Sequence, residues 1–238
     1  MSTLIKNNLI NIKKTIKETA LKFNRDPEEI TLVAVSKFQN KDKIFEAHTS
    51  GQLDFAENYI QEWQEKCKFF QENNTHINWH IIGNIQKNKA KYLTSQIHCL
   101  QSLDSIELAQ EIEKKAKLET KLKVLIQLQI DKNDVNKSGI SYENSYKLRD
   151  YVAKSSKLVL HGFMGIGPFE IELNKRKELY LNFVNHAKNL WLDISNSQSV
   201  SPVISLGMSS DFITAIECGS NMVRIGTTIF GERTKDSF

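Results

Sequence analysis

"TLVAVSKFQN", residues 31–40, runs four apolar residues, Leu32 to Val35, directly into Ser36 and Lys37. The apolar part reads as a strand made for a buried core, and its end on a lysine asks for a reason. Seven further short apolar runs resemble it, at 53–57, 77–83, 97–103, 123–130, 158–165, 202–208 and 222–226. Longer amphipathic stretches separate them. After Asp104 and Ser105, either of which can cap a helix, Ile106, Ala109, Ile112 and Ala116 share one face. Leu179, Phe183, Ala187 and Leu190 do the same further on.

Strands alternating with helical patterns predict a parallel sheet, because parallel neighbours need long crossovers. Eight strands, with a helix expected in every gap, predict an α/β fold of the (β/α)8 TIM type, one domain over residues 1–238. An open doubly wound sheet is the alternative. Leu4, Ile5, Leu9, Ile12, Ile16 and Leu21 add a helix ahead of the first strand, too broken by charge for a signal or a membrane span.

Composition narrows the function classes. Lys and Arg total 32 against 28 Asp and Glu, a formal charge of +4, and the signs are mixed, as in "EIEKKAKLETKLK" (111–123). That is a solvated helix face rather than a nucleic-acid stripe. Cys67, Cys99 and Cys218 lie far apart, with no CxxC and no local Cys/His spacing for zinc, so neither a metal nor a disulfide framework is expected. The expectation is a cytoplasmic protein without membrane or nucleic-acid partners.

In a barrel, polar residues just after the strands meet on one rim, the usual place for a site. Lys37 stands there. An amine among apolar neighbours loses hydration, deprotonates more easily and can attack an aldehyde; the competing reading is a lysine that snorkels to the surface. Ser209 and Ser210 open a helix where free N–H groups favour a phosphate, a role compatible with simple capping. Gly226 clears space for a ligand to approach the backbone, with Thr227 beside it. Arg224, inside a strand, needs a partner, either a ligand atom or an internal carboxylate. Asn58 can bond a ligand oxygen, and His80 alternates with Trp79 and Ile81. No Ser-His-Asp order, HExxH or GxxxxGK[ST] is present.

Taken in order, "LVAVSK" (32–37), "DFAENYIQE" (54–62), "INWHIIGNIQKNK" (77–89), "NKSGI" (136–140), "HGFMGIG" (161–167) and "GMSSDFITAIECGSNMVRIGTTIFGER" (207–233) resemble the pyridoxal phosphate homeostasis protein family. The resemblance implies a barrel like the N-terminal domain of alanine racemase, with pyridoxal 5′-phosphate held as an internal aldimine on Lys37. It implies that Ser209 or Ser210, with the backbone of Gly226 and Thr227, binds the phosphate. Arg224 then meets the pyridine nitrogen, Asn58 and His80 line the pocket, and Met164 packs against the ring. Lys137 is a second candidate lysine.

The implied role is to carry and regulate the free cofactor pool, with pyridoxal-phosphate-dependent apoenzymes as partners and no established catalysis. The alternative is a pyridoxal-phosphate enzyme acting on amino acids, a racemase or lyase. Two features favour the carrier. Arg224 does not hand a proton to a ring nitrogen, and with Phe238 following closely on the eighth unit no second domain is expected for an opposite-face base or a racemase-type dimer; a monomer is expected. The sequence departs from the family pattern after Lys37, where Thr-Lys-Pro reads Phe-Gln-Asn, and at Ala56 and Asn84.

Overall fold

The computed structural model describes residues 4–131, 139–192 and 201–232. The apolar run becomes strand β1, Thr31–Val35, with Leu32, Val33 and Ala34 buried. It pairs in parallel with β2 (Asp54–Glu57) on one side and with β8 (Met222–Ile225) on the other. Pairing of the first strand with the last excludes the open sheet. Between them lie β3 (Asn78–Ile81), β4 (Ile97–Leu103), β5 (Leu122–Gln127), β6 (Leu158–Met164) and β7 (Val203–Ser205), and the eight close into a barrel in chain order.

Helices α2 (Lys41–Thr49), α3 (Ile60–Glu72), α4 (Ile106–Lys115), α5 (Tyr142–Lys154), α6 (Leu173–Leu192) and α7 (Phe212–Glu217) occupy crossovers. Caps fix several starts: Asn40, Ser105 and Ser141 each accept from the amide three residues on. One crossover departs from expectation. Between β3 and β4 the chain forms a 3₁₀ segment, Lys87–Tyr92, rather than an α-helix. Its one buried residue is Ala90, whose carbonyl accepts from the amide of Leu93, and the two side chains eclipse as a three-residue turn requires.

The last barrel helix, α8 (Thr227–Phe230), is a single turn. The first helix, α1 (Leu4–Lys22), covers what α8 leaves bare, packing on α8, α7 and α2. Ile5, Leu9, Ile12, Ile16 and Ala20 form its buried face, and Asn8 donates to the Ile229 carbonyl at 3.0 Å. Leu4 and Leu21, counted in the sequence pattern, instead face solvent.

Large side chains such as Trp63, Phe70 and Phe183 fill the layer between strands and helices. The barrel interior is more mixed: Val33, Ala56, Met222, Cys99, Leu125 and Met164 surround buried polar groups. No described helix is long and apolar enough to cross a membrane.

Candidate functional site

At the C-terminal ends of the strands lies a cleft of about 670 Å³, within the range of roughly 300–1,000 Å³ usual for small-ligand pockets. Lys37 enters it from β1, Met208, Ser209 and Ser210 from the loop after β7, and Arg224, Gly226 and Thr227 from β8. Val35, Ile82 and Phe169 supply its apolar walls.

The β1 side is braced from behind. Ser36 is buried, and its hydroxyl donates to Glu57 Oε1 at 2.6 Å. Lys66, 5% exposed on α3, donates to the Ser36 carbonyl at 2.8 Å, to Glu57 Oε1 at 2.8 Å and to Glu62 Oε1 at 2.7 Å. Glu62 also accepts from the Phe38 amide at 2.6 Å. The residues on both sides of Lys37 are therefore tied to one ion cluster, and Phe38 is held at a φ of 64°, which side-chain-bearing residues seldom adopt. Burial pushes the Glu57 carboxyl up to about 7, against the pull of Lys66. Its second oxygen, Glu57 Oε2, has no hydrogen-bond partner.

The β7–β8 side is built from turns. Gly207, at φ 99°, reverses the chain after Leu206. Asp211 then holds the loop, accepting from the Met208 amide at 2.6 Å and from the Tyr180 hydroxyl at 2.7 Å. The amides of Ser209, Ser210, Thr227 and Thr228 donate to no protein acceptor among the described residues. A Cβ on Gly226 would sit 3.1 Å from the Val35 carbonyl, so a glycine lets β8 close tightly against β1 at the cleft edge.

Arg224, 3% exposed overall, forms the floor. It has no carboxylate within ion-pair distance among the described residues; its guanidinium donates to Ser205 Oγ at 2.6 Å and to the Gly165 carbonyl at 2.9 Å. Burial brings it down to about 10, with Asp211 partly opposing, so it remains cationic at neutral pH. From it a chain of hydrogen bonds runs through the barrel. Ser205 donates to Gln101 Oε1 at 2.7 Å, Gln101 Nε2 meets His80 Nδ1 at 2.9 Å, and His80 Nε2 meets Asp54 Oδ1 at 3.0 Å.

The structure thus brings Lys37, Ser209, Ser210, Arg224, Gly226 and Thr227 to one cleft. Asn58 stands half-buried on the same rim, after β2, but outside the lining. His80 does not line the cleft. It points inward one layer too deep, and Ile82, two residues on, takes the wall position. Met164 is likewise a correction: fully buried with Cys99 and Leu125, it fills the core below the cleft. Lys137 lies outside the described residues. Lys66 was missed, because a lysine inside "QEWQEKCK" carries no mark of burial against a strand end.

Comparison with known proteins bears on the fold and the family. The family described as "Alanine racemase, N-terminal domain" matches residues 10–234. The pyridoxal phosphate homeostasis protein of Escherichia coli K12 is 36% identical over 96% of this chain and 97% of its own, and that of Pasteurella multocida is 34% identical over 96% and 97%. Among solved structures, PipY of Synechococcus elongatus without pyridoxal phosphate superposes with a TM-score of 0.81 at 25% identity, covering 95% of this chain and all of that one. A second PipY structure, with pyridoxal phosphate bound, shares the fold at a TM-score of 0.79 and 23% identity over the same shares. On a closed eight-stranded barrel of the alanine racemase N-terminal type, with relatives of that name matched over nearly their whole length, the chain belongs to the pyridoxal phosphate homeostasis protein family.

Proposed function

We propose that the cleft binds pyridoxal 5′-phosphate, that the Lys37 amine forms a Schiff base with its aldehyde, and that the chain serves homeostasis of the cofactor by holding it and handing it to apoenzymes. The observation that carries this reading is the grouping of one amine, one buried guanidinium and four unpartnered amides around a single small cleft. A phosphate suits the amides of Ser209, Ser210, Thr227 and Thr228 and their hydroxyls. Arg224 offers an N–H to a ring nitrogen without surrendering its proton. The named relatives and PipY with its bound cofactor support the same ligand.

The lining also favours a carrier over an enzyme. Among the described residues it holds no His, Asp, Glu, Tyr or Cys, so Lys37 is its one base. Racemisation needs a second acid/base on the opposite face of the substrate carbon.

Loading the protein with one equivalent of pyridoxal phosphate should give a visible Schiff-base absorption that borohydride bleaches, leaving the ligand fixed to the Lys37 peptide. Lys37→Ala should abolish the band, and an unchanged band would remove Lys37 from the role. Turnover of any amino acid well above the rate of free cofactor would overturn the carrier reading while leaving the binding site intact.

A further inference from the structure

At the other end of the barrel, three side chains from three strands converge. Asp54 opens β2, His80 is on β3 and His98 is on β4. One ligand atom from each lies within 4.8 Å of the others. His80 Nε2 and Asp54 Oδ1 are already 3.0 Å apart, a few tenths of an ångström short of the edge of about 3.4 Å between tetrahedral ligands when metal bonds are about 2.1 Å long. The imidazoles of His80 and His98 are tilted by 54° with centroids 5.3 Å apart. His98 is half-buried and its side chain makes no hydrogen bond among the described residues, and Asp54 keeps 23% of its side-chain surface exposed. The cluster is therefore open to solvent on one side, with room for water to complete a coordination shell.

We propose that Asp54, His80 and His98 form a binding site for a first-row transition-metal ion such as Zn²⁺ at the base of the barrel, distinct from the cleft. Two imidazoles and one carboxylate select such ions over Mg²⁺ and Ca²⁺, which take oxygen ligands. The supports around the ligands fit as well. A metal on His80 Nε2 puts the ring proton on Nδ1, which then needs an acceptor. Gln101 lies 2.9 Å from that nitrogen, and turning its carboxamide over presents Oε1 in place of Nε2. Asn78 lies close enough to Asp54 to help keep its carboxylate ionised. Lys123, close enough for His98 to sense its charge, opposes a cation and keeps the affinity moderate.

Calorimetric titration of the full-length, chelator-stripped protein with Zn²⁺, and of a parallel sample with Co²⁺ read by its visible d–d absorption, tests the site. The expected result is one saturable equivalent that excess Mg²⁺ does not displace. His98→Ala and Asp54→Asn should each weaken it at least about tenfold, the scale on which losses around metal sites are felt. The His98 side chain anchors no hydrogen bond, so His98→Ala should leave the thermal melt near wild type. Cys67, Cys99 and Cys218 are buried, and serine at all three should leave the titration unchanged. Absence of a saturable equivalent, or equal affinity in wild type and both ligand variants, would overturn the proposal.

Discussion

The two sides of the cleft are built on opposite principles. Behind Lys37, the Ser36 hydroxyl and carbonyl and the Phe38 amide are tied to Glu57, Lys66 and Glu62. Across the cleft, the amides of Ser209, Ser210, Thr227 and Thr228 are tied to nothing in the protein. On the function proposed above, an attachment point must be aimed, and the turn that carries Lys37 is braced accordingly. An anion site must offer donors, so its surroundings are left short of acceptors. Stability and ligand affinity should consequently separate between the two sides.

The largest effect expected is on the braced side. Lys66→Ala leaves Glu57 buried without its cation, and breaking a buried ion pair costs about 3–5 kcal/mol. Chemical denaturation should show that loss, with a melting temperature lower by roughly 10 °C for a chain of this size. If Lys66→Ala were neutral, the brace would be decoration and the contrast would fail.

On the open side, Ser209→Ala should weaken pyridoxal phosphate by on the order of tenfold, the loss of one hydrogen bond to a charged group. Its stability should stay within about 0.5 kcal/mol of wild type. Pyridoxal, which lacks the phosphate, should bind both proteins equally in an absorbance titration. A parallel loss of pyridoxal binding would place Ser209 elsewhere than at the phosphate.

Per pH unit the smallest effect is a stability slope. With its pKa raised from 4.5 to about 7, the folded Glu57 keeps a proton that the unfolded chain releases. Stability should therefore fall as pH rises across that window, with a slope of at most about 1.4 kcal/mol per pH unit, and level off above it. Glu57→Gln should remove this decline in urea titrations at a series of pH values.

Strand-end logic made much of this legible. Lys37, Ser209, Ser210, Arg224 and Gly226 each follow or close an apolar run, and each reaches the cleft. The same logic fails by one layer at His80 and Met164, because period-two alternation tells which face a residue takes but not how far along the barrel axis it sits. Glu57 differs again: beside Asn58 at the end of β2, it points out toward α3 rather than onto the rim. The β3–β4 crossover was hidden because lysine-rich "KNKAKY" is as compatible with a wet helix as with a 3₁₀ turn. The base triad had no local signature at all, since positions 54, 80 and 98 meet only when the barrel closes.

The relay inside the barrel carries one more consequence. Each group passes its hydrogen onward, from guanidinium to hydroxyl, amide and imidazole, and finally to an anion at the far mouth. In the metal-free protein the guanidinium is thereby held by neutral partners, with Asp211 near enough to be felt but not paired to it. A carboxylate paired directly with Arg224 would satisfy it and leave nothing for a guest; held by a hydroxyl and a carbonyl instead, its positive edge stays available to whatever settles above it.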